Sequence, residues 1–168
     1  MHYASIRTCD IANGDGVRVT LFVSGCTHHC KGCFNEEAWD FSYGQPFARE
    51  AEDALIEALR PDYISGLSIL GGEPMEPGNQ TALVPFLRRF RSIFSTAKTL
   101  WVYTGCVYEL NLLPGAKTNR WRTEVTDEFL SYIDVLVDGP FVESLKDISL
   151  KFRGSSNQRI LRLRELKS

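Results

Sequence analysis

Two rhythms of apolar residues run along the chain. Val19-Thr20-Leu21-Phe22-Val23 is short, apolar and rich in β-branched residues, and Gly25 and Cys26 follow at once, which predicts a buried strand ending in a loop. Between Phe47 and Arg60, the residues Ala51, Ala54, Leu55, Ala58 and Leu59 recur at helical spacing until Pro61 stops the pattern, predicting an amphipathic helix. Leu67-Ser68-Ile69-Leu70 reads as a strand leading into Gly71-Gly72. Leu83, Phe86, Leu87, Phe90 and Phe94 give a second helix, and Leu100-Trp101-Val102-Tyr103 a further strand that runs into Thr104-Gly105. The polar stretch from Asn111 to Arg122 holds Pro114-Gly115 and reads as a loop. Thr126 is expected to cap a short helix carrying Phe129, Leu130 and Ile133, before a strand Val135-Leu136-Val137 that ends at Asp138-Gly139-Pro140. The tail from Ile148 to Leu166 alternates in places and suits an edge strand. Strands alternating with helices imply βαβ units, hence an α/β fold with a mainly parallel sheet and ligands at the carboxyl ends of its strands.

Length limits that fold. With 168 residues the chain falls short of the roughly 250 that a closed eight-fold β/α barrel needs, so one domain spanning 1–168 is expected. A composition of 43% hydrophobic and 24% charged residues suits a globular chain with its own core. The net charge of −2 excludes a general attraction to nucleic acid or to anionic membrane. No apolar run approaches the roughly 18 residues of a membrane helix, and Met1 to Arg7 lacks the apolar core of a signal peptide, so a cytoplasmic protein is expected. In a reducing compartment its five cysteines serve metal binding or reactivity sooner than disulfides.

Three of those cysteines, Cys26, Cys30 and Cys33, stand as C-x3-C-x2-C directly after a strand. Structural zinc would need a fourth ligand from Cys9, Cys106, His28 or His29. A redox pair of Cys30 and Cys33 would leave Cys26 idle. An iron–sulfur cluster on three thiolates would leave one iron open to an outside ligand, which suits catalysis. Cys9 and Cys106 themselves read as small buried residues, and His28 and His29 as loop residues. Arg88, Arg89 and Arg91 read as the wet face of the second helix.

C-x3-C-x2-C is the motif of the radical S-adenosylmethionine superfamily, which this chain resembles, and Gly71-Gly72-Glu73-Pro74 is similar to its GGEP element. The resemblance implies an incomplete, open β/α barrel. It also implies a 4Fe–4S cluster on Cys26, Cys30 and Cys33, and S-adenosyl-L-methionine whose amino group meets Gly71, Gly72 and Glu73. Five further segments narrow it: Asn13-Gly14-Asp15-Gly16-Val17-Arg18, Phe22-Val23-Ser24-Gly25-Cys26, Cys30-Lys31-Gly32-Cys33-Phe34-Asn35, Val137-Asp138-Gly139-Pro140-Phe141, and Phe152 to Arg159. Together they resemble the activating proteins of anaerobic ribonucleoside-triphosphate reductase. The implied activity is reductive cleavage of adenosylmethionine to a 5′-deoxyadenosyl radical that takes a hydrogen from a reductase glycine, with flavodoxin or ferredoxin as electron donor. Asp15, where relatives commonly carry Pro, and Gly32, where the wider superfamily often has an aromatic residue, depart from the pattern without removing a ligand.

Phe34 and Asn35 are further cofactor-binding candidates. Phe34 either shields the cluster or stacks near the adenine, with ordinary packing as the other reading. Thr104 and Asp138, at strand ends, are candidates for the ribose or methionine part, although Asp138 also suits a turn. Arg153, Ser155, Asn157 and Arg159 form a basic stretch that suits either the ligand's carboxylate or a partner protein, or else a solvated edge. The segment from Asn111 to Glu124 fits the resemblance poorly and has no assigned role. Alternative readings are an activase of a formate-lyase-type partner, a small enzyme acting on a deazapurine precursor, and a zinc-binding module without activity.

Overall fold

The computed structural model describes residues 1–166. The apolar runs become strands slightly longer than their apolar cores: β2 (Val17–Val23), β4 (Ile64–Gly71), β5 (Thr99–Tyr103) and β6 (Val135–Asp138). The helical patterns become α1 (Arg49–Leu59), α2 (Pro77–Phe94) and α3 (Thr126–Tyr132). Strand β1 (His2–Asp10), the two-residue strand β3 (Gln45–Pro46), β7 (Arg159–Arg162) and a terminal turn of helix α4 (Leu163–Leu166) complete the described residues. Strand β7 is the edge strand expected in the tail.

The strands form one sheet in the order β3-β1-β2-β4-β5-β6-β7. Its centre, β2-β4-β5-β6, is parallel, as βαβ crossovers through α1, α2 and α3 require. The flanks are not: β1 runs antiparallel to β2 and β3, and β7 antiparallel to β6. The sheet is therefore mixed, which corrects the expectation of a mainly parallel one. The cause on one side is the short link from Asp10 to Val17, too short for a crossover and long enough only for a hairpin. On the other side, the chain between β6 and β7 carries only a 3-10 turn at Glu143–Leu145. The two edges, β3 and β7, do not pair with each other, so the sheet is not closed.

Side chains alternate across the sheet. Val19, Leu21, Val23, Leu67, Ile69, Leu100 and Val102 join Leu55, Leu59, Leu83, Phe86, Leu87 and Phe90 of the helices in the main core. The opposite face carries Arg18, Thr20, Ser68, Trp101 and Tyr103. Arg18 is wholly buried there: its guanidinium donates to Ser68 Oγ (2.7 Å), to the carbonyls of Asp15, Leu67 and Thr99, and to Thr99 Oγ1. Carbonyl oxygens thus do the solvating, and burial still lowers its pKa to about 10.

Two local expectations change. Thr126 is the first residue of α3 and not its cap; its hydroxyl accepts from the Thr123 amide (2.8 Å) and donates to Gln80 Oε1 (2.7 Å). The three arginines of α2 are paired and not merely wet: Arg88 with Glu128, Arg89 with Asp53 and Glu52, and Arg91 with Asp134. They tie α2 to α3, to α1 and to the residue just before β6. No helix among the described residues is long and apolar enough to cross a membrane.

Candidate functional site

Strand β2 delivers the cysteine loop. After Val23 the chain turns through Ser24 and Gly25, and Gly25 N and Cys26 N donate to Ala38 O (2.8 Å) and Trp39 O (3.2 Å) of the 3-10 turn Glu36–Trp39. Within the loop, Cys33 N donates to Cys30 O (3.1 Å), and Asn35 N lies 3.4 Å from Cys33 Sγ. His29 takes a left-handed backbone and stacks on Trp39 with ring centroids 4.5 Å apart. Cys26, Cys30 and Cys33 are all half-buried and line one cleft.

The end of β4 is laid against the base of this loop. Gly72 N donates to Val23 O (2.7 Å) and Glu73 N to Gly25 O (2.8 Å). Contact is so close that a Cβ on Gly72 would stand 2.6 Å from Gly25 O, which is why a residue without a side chain sits there. Asn79 Nδ2 donates to both Ser24 O (3.0 Å) and Glu73 O (2.9 Å), and Glu76 Oε1 accepts from the amide of Thr27 (2.8 Å). One loop therefore grips the other along residues 23–27.

Glu73 is buried and its carboxylate is fully engaged inside the protein. Oε1 accepts from Met75 N (2.7 Å) and Thr104 Oγ1 (2.8 Å); Oε2 accepts from Gly105 N (2.8 Å) and faces His28 Nε2 at 2.7 Å. Thr104, also buried, spends its hydroxyl on Glu73 and accepts from Cys106 N (3.0 Å). Asp138, at the end of β6, accepts from Arg159 Nε (2.9 Å) and Nη2 (2.5 Å) and from Tyr108 N (2.8 Å).

The cleft brings together Cys26, Cys30, Cys33, Phe34, Gly71, Gly72, Glu73 and Thr104 of the residues singled out in the sequence. Asp138 lies beneath its wall at Gly139, and Asn35 lines a neighbouring hollow with Phe34, Arg7 and Tyr43. Phe34 is 86% exposed, so core packing does not explain it. Of the tail residues, Arg159 holds Asp138, Asn157 Nδ2 donates to Pro140 O (2.8 Å), Arg153 Nη1 donates to Gln158 O (2.7 Å), and Ser155 is buried. Cys106 is buried as expected, with its thiol pushed far up by burial, whereas Cys9 is exposed on β1, because that strand's outer face meets solvent.

Several residues of the site carried no sequence signal of their own. Tyr103 lines the cleft, and its hydroxyl is buried without a hydrogen-bond partner. The segment left without a role supplies a wall: Trp121 stacks on His28 with centroids 4.5 Å apart and 19° between planes, Arg120 lies 4.1 Å over Trp121 and bonds Thr27, and Gln80 Nε2 donates to Trp121 O (2.6 Å).

Among the described residues, ligand atoms that all lie within 4.8 Å of one another belong to His28, Glu73 and Cys106. The three loop thiols, half-buried at one cleft, are a donor set that fits a cluster keeping one iron open to an outside ligand. Burial pushes Cys26 up to about 11 and raises Cys30 too, so loading with metal must displace their protons.

Comparison with known proteins agrees. A family described as a 4Fe–4S single cluster domain matches residues 12–161. The anaerobic ribonucleoside-triphosphate reductase-activating protein of Escherichia coli (strain K12) is 43% identical over 166 residues, covering 98% of this chain and all of that one. Its counterpart from Pasteurella multocida is 42% identical over 164 residues, covering 96% and 98%, and that of Enterobacteria phage T4 is 35% identical over 161, covering 95% and 93%. With a cluster domain and relatives of this identity along nearly its whole length, the chain belongs to the family of anaerobic ribonucleoside-triphosphate reductase-activating proteins.

Proposed function

We propose that the chain, acting as one radical-SAM domain over 1–168, activates an anaerobic ribonucleoside-triphosphate reductase by generating a glycyl radical on it. Cys26, Cys30 and Cys33 would hold the 4Fe–4S cluster, with S-adenosyl-L-methionine in the cleft between the cysteine loop and Gly71-Gly72-Glu73. Bound there, the cluster would supply the single electron for reductive cleavage of adenosylmethionine, the source of the radical passed to a reductase glycine.

One observation carries this reading: three half-buried thiols share a single cleft with the Gly71 to Glu73 turn. The chain's own residues have three tasks. The bonds from residues 72–79 hold the loop base in place, so the thiols keep one geometry. Gly71 and Gly72 let the end of β4 lie close against the backbone of Val23 and Gly25 at the loop base, while Thr104 and Asp138 brace the strand ends from behind by their bonds to Glu73 and Arg159. Exposed Phe34, with Asn35 beside it, stands where it can cover a bound cluster or adenine. The unclosed sheet suits a glycine-bearing loop of a large partner, with a flavodoxin or ferredoxin delivering the electron.

Anaerobic reconstitution tests this. The expected result is a brown protein with about four irons per chain that forms 5′-deoxyadenosine under dithionite. A colourless protein holding one zinc, with no cleavage, would contradict it.

A further inference from the structure

We infer that His28 is a positioning residue, which joins the outer half of the cysteine loop to the carboxylate of Glu73 and so sets the distance between the two walls of the cleft. The inference rests on the cluster and adenosylmethionine reading above and adds to it a residue that is neither ligand nor acid–base group.

His28 sits midway between Cys26 and Cys30, and its ring occupies a fitted slot. One face stacks on Trp121. One edge lies against Gly105 so closely that a Cβ there would come within 2.7 Å of the ring. Nε2 meets Glu73 Oε2 at 2.7 Å, and Cys106 Sγ stands 3.9 Å from the same nitrogen. Since a carboxylate only accepts, Nε2–H is the donor. The convergence of His28, Glu73 and Cys106 invites a metal ion. However, Glu73 already accepts from Met75, Thr104 and Gly105 besides His28, which leaves an ion no free carboxylate to bind. The trio is a hydrogen-bonded joint.

Its place in the loop gives the joint its consequence. Bonds from residues 72–79 end at Thr27. Beyond that residue the loop is held by the His29 stack on Trp39, by an exposed pair between Lys31 and Glu143, by the Phe141 amide on the Cys30 thiol, and by His28. Of these, only the His28 bond reaches the wall formed by Glu73. Without it, the stretch carrying Cys30 and Cys33 can tilt away from Gly71-Gly72-Glu73 while all three thiols remain. Metal would still load, but the ligand bridging cluster and wall would be misplaced.

The test uses the reconstituted full chain with adenosylmethionine as probe, reading iron content, adenosylmethionine affinity, and the change that adenosylmethionine makes in the electron paramagnetic resonance spectrum of the reduced cluster. His28→Ala should keep wild-type iron, weaken adenosylmethionine binding about tenfold or more, and blunt the spectral change. His28→Gln, which can still donate to Glu73, should restore affinity to within about threefold of wild type. Gly105→Ala, which displaces the ring with His28 intact, should resemble His28→Ala. Wild-type affinity and spectra in both alanine variants would overturn the inference. So would loss of iron in His28→Gln, or a Gln variant no better than Ala. If the wild-type chain itself takes no cluster or binds no adenosylmethionine, the reading beneath the inference has failed, and that is seen before any variant is made.

Discussion

Glu76, at the N-cap of α2, reaches back to Thr27 and accepts twice through one oxygen, from the amide at 2.8 Å and from the hydroxyl at 2.5 Å. The start of a helix is thereby fastened to the residue that follows Cys26. Glu76→Ala should lower stability by about 1–3 kcal/mol, the range for stranding a partly buried donor, and should speed iron loss to a chelator. Glu76→Gln keeps the acceptor and should fall close to wild type. Thermal melts and chelator kinetics on the two variants read both effects; equal behaviour of Ala and wild type would show that the fastening is idle.

Arg159 is held by two carboxylates of different burial, Asp138 with none of its side chain exposed and Glu109 with 52%. Removing the cation leaves a buried charge, so Arg159→Met should cost about 3–5 kcal/mol. Glu109→Gln, which loses only the exposed partner, should cost about 0–1 kcal/mol. Urea unfolding of both variants checks the difference, and equal losses would count against β7 being pinned through Asp138.

Acid should expose Asp10. Burial raises its pKa, and bonds from Asn13, the Ala12 amide and Thr20 outweigh that and hold it below the ordinary 3.8. A carboxylate with a lowered folded pKa stabilises fully above its unfolded value, and that stability is lost as pH falls through the folded one. Asp10→Asn should therefore be less stable than wild type at neutral pH by roughly 1 kcal/mol, with the gap closing below about pH 4. Denaturant midpoints across pH 2–7 measure it; a gap independent of pH would refute it.

The parts of the fold visible in the sequence are those whose pattern is local. β2, β4, β5 and β6 lie at the sheet centre, buried on both faces, so each spells an apolar run. β1 is exposed at four of its nine positions and half-buried at four more, so it has no apolar run to read, and its antiparallel hairpin with β2 carries no signal in the sequence. The same division holds at the site. The cysteine spacing and Gly71-Gly72-Glu73 stand in short segments and could be read directly. The pairs His28 with Trp121 and Thr27 with Glu76 join residues 93 and 49 apart, where 121 − 28 = 93 and 76 − 27 = 49, and nothing in either segment alone announces the other. Thr104 and Asp138 show both sides at once: their place at strand ends was readable, but their bonds to Glu73 and Arg159 were not.

The most direct test of the central claim is an anaerobic mixture of the reconstituted chain, adenosylmethionine, dithionite and the glycyl-radical subunit of anaerobic ribonucleoside-triphosphate reductase, read by electron paramagnetic resonance. The expected result is a glycyl radical doublet on the reductase with the wild-type chain and none with Cys30→Ala. A doublet that persists with Cys30→Ala, or a wild-type chain that forms 5′-deoxyadenosine while leaving the reductase without a radical, would contradict it.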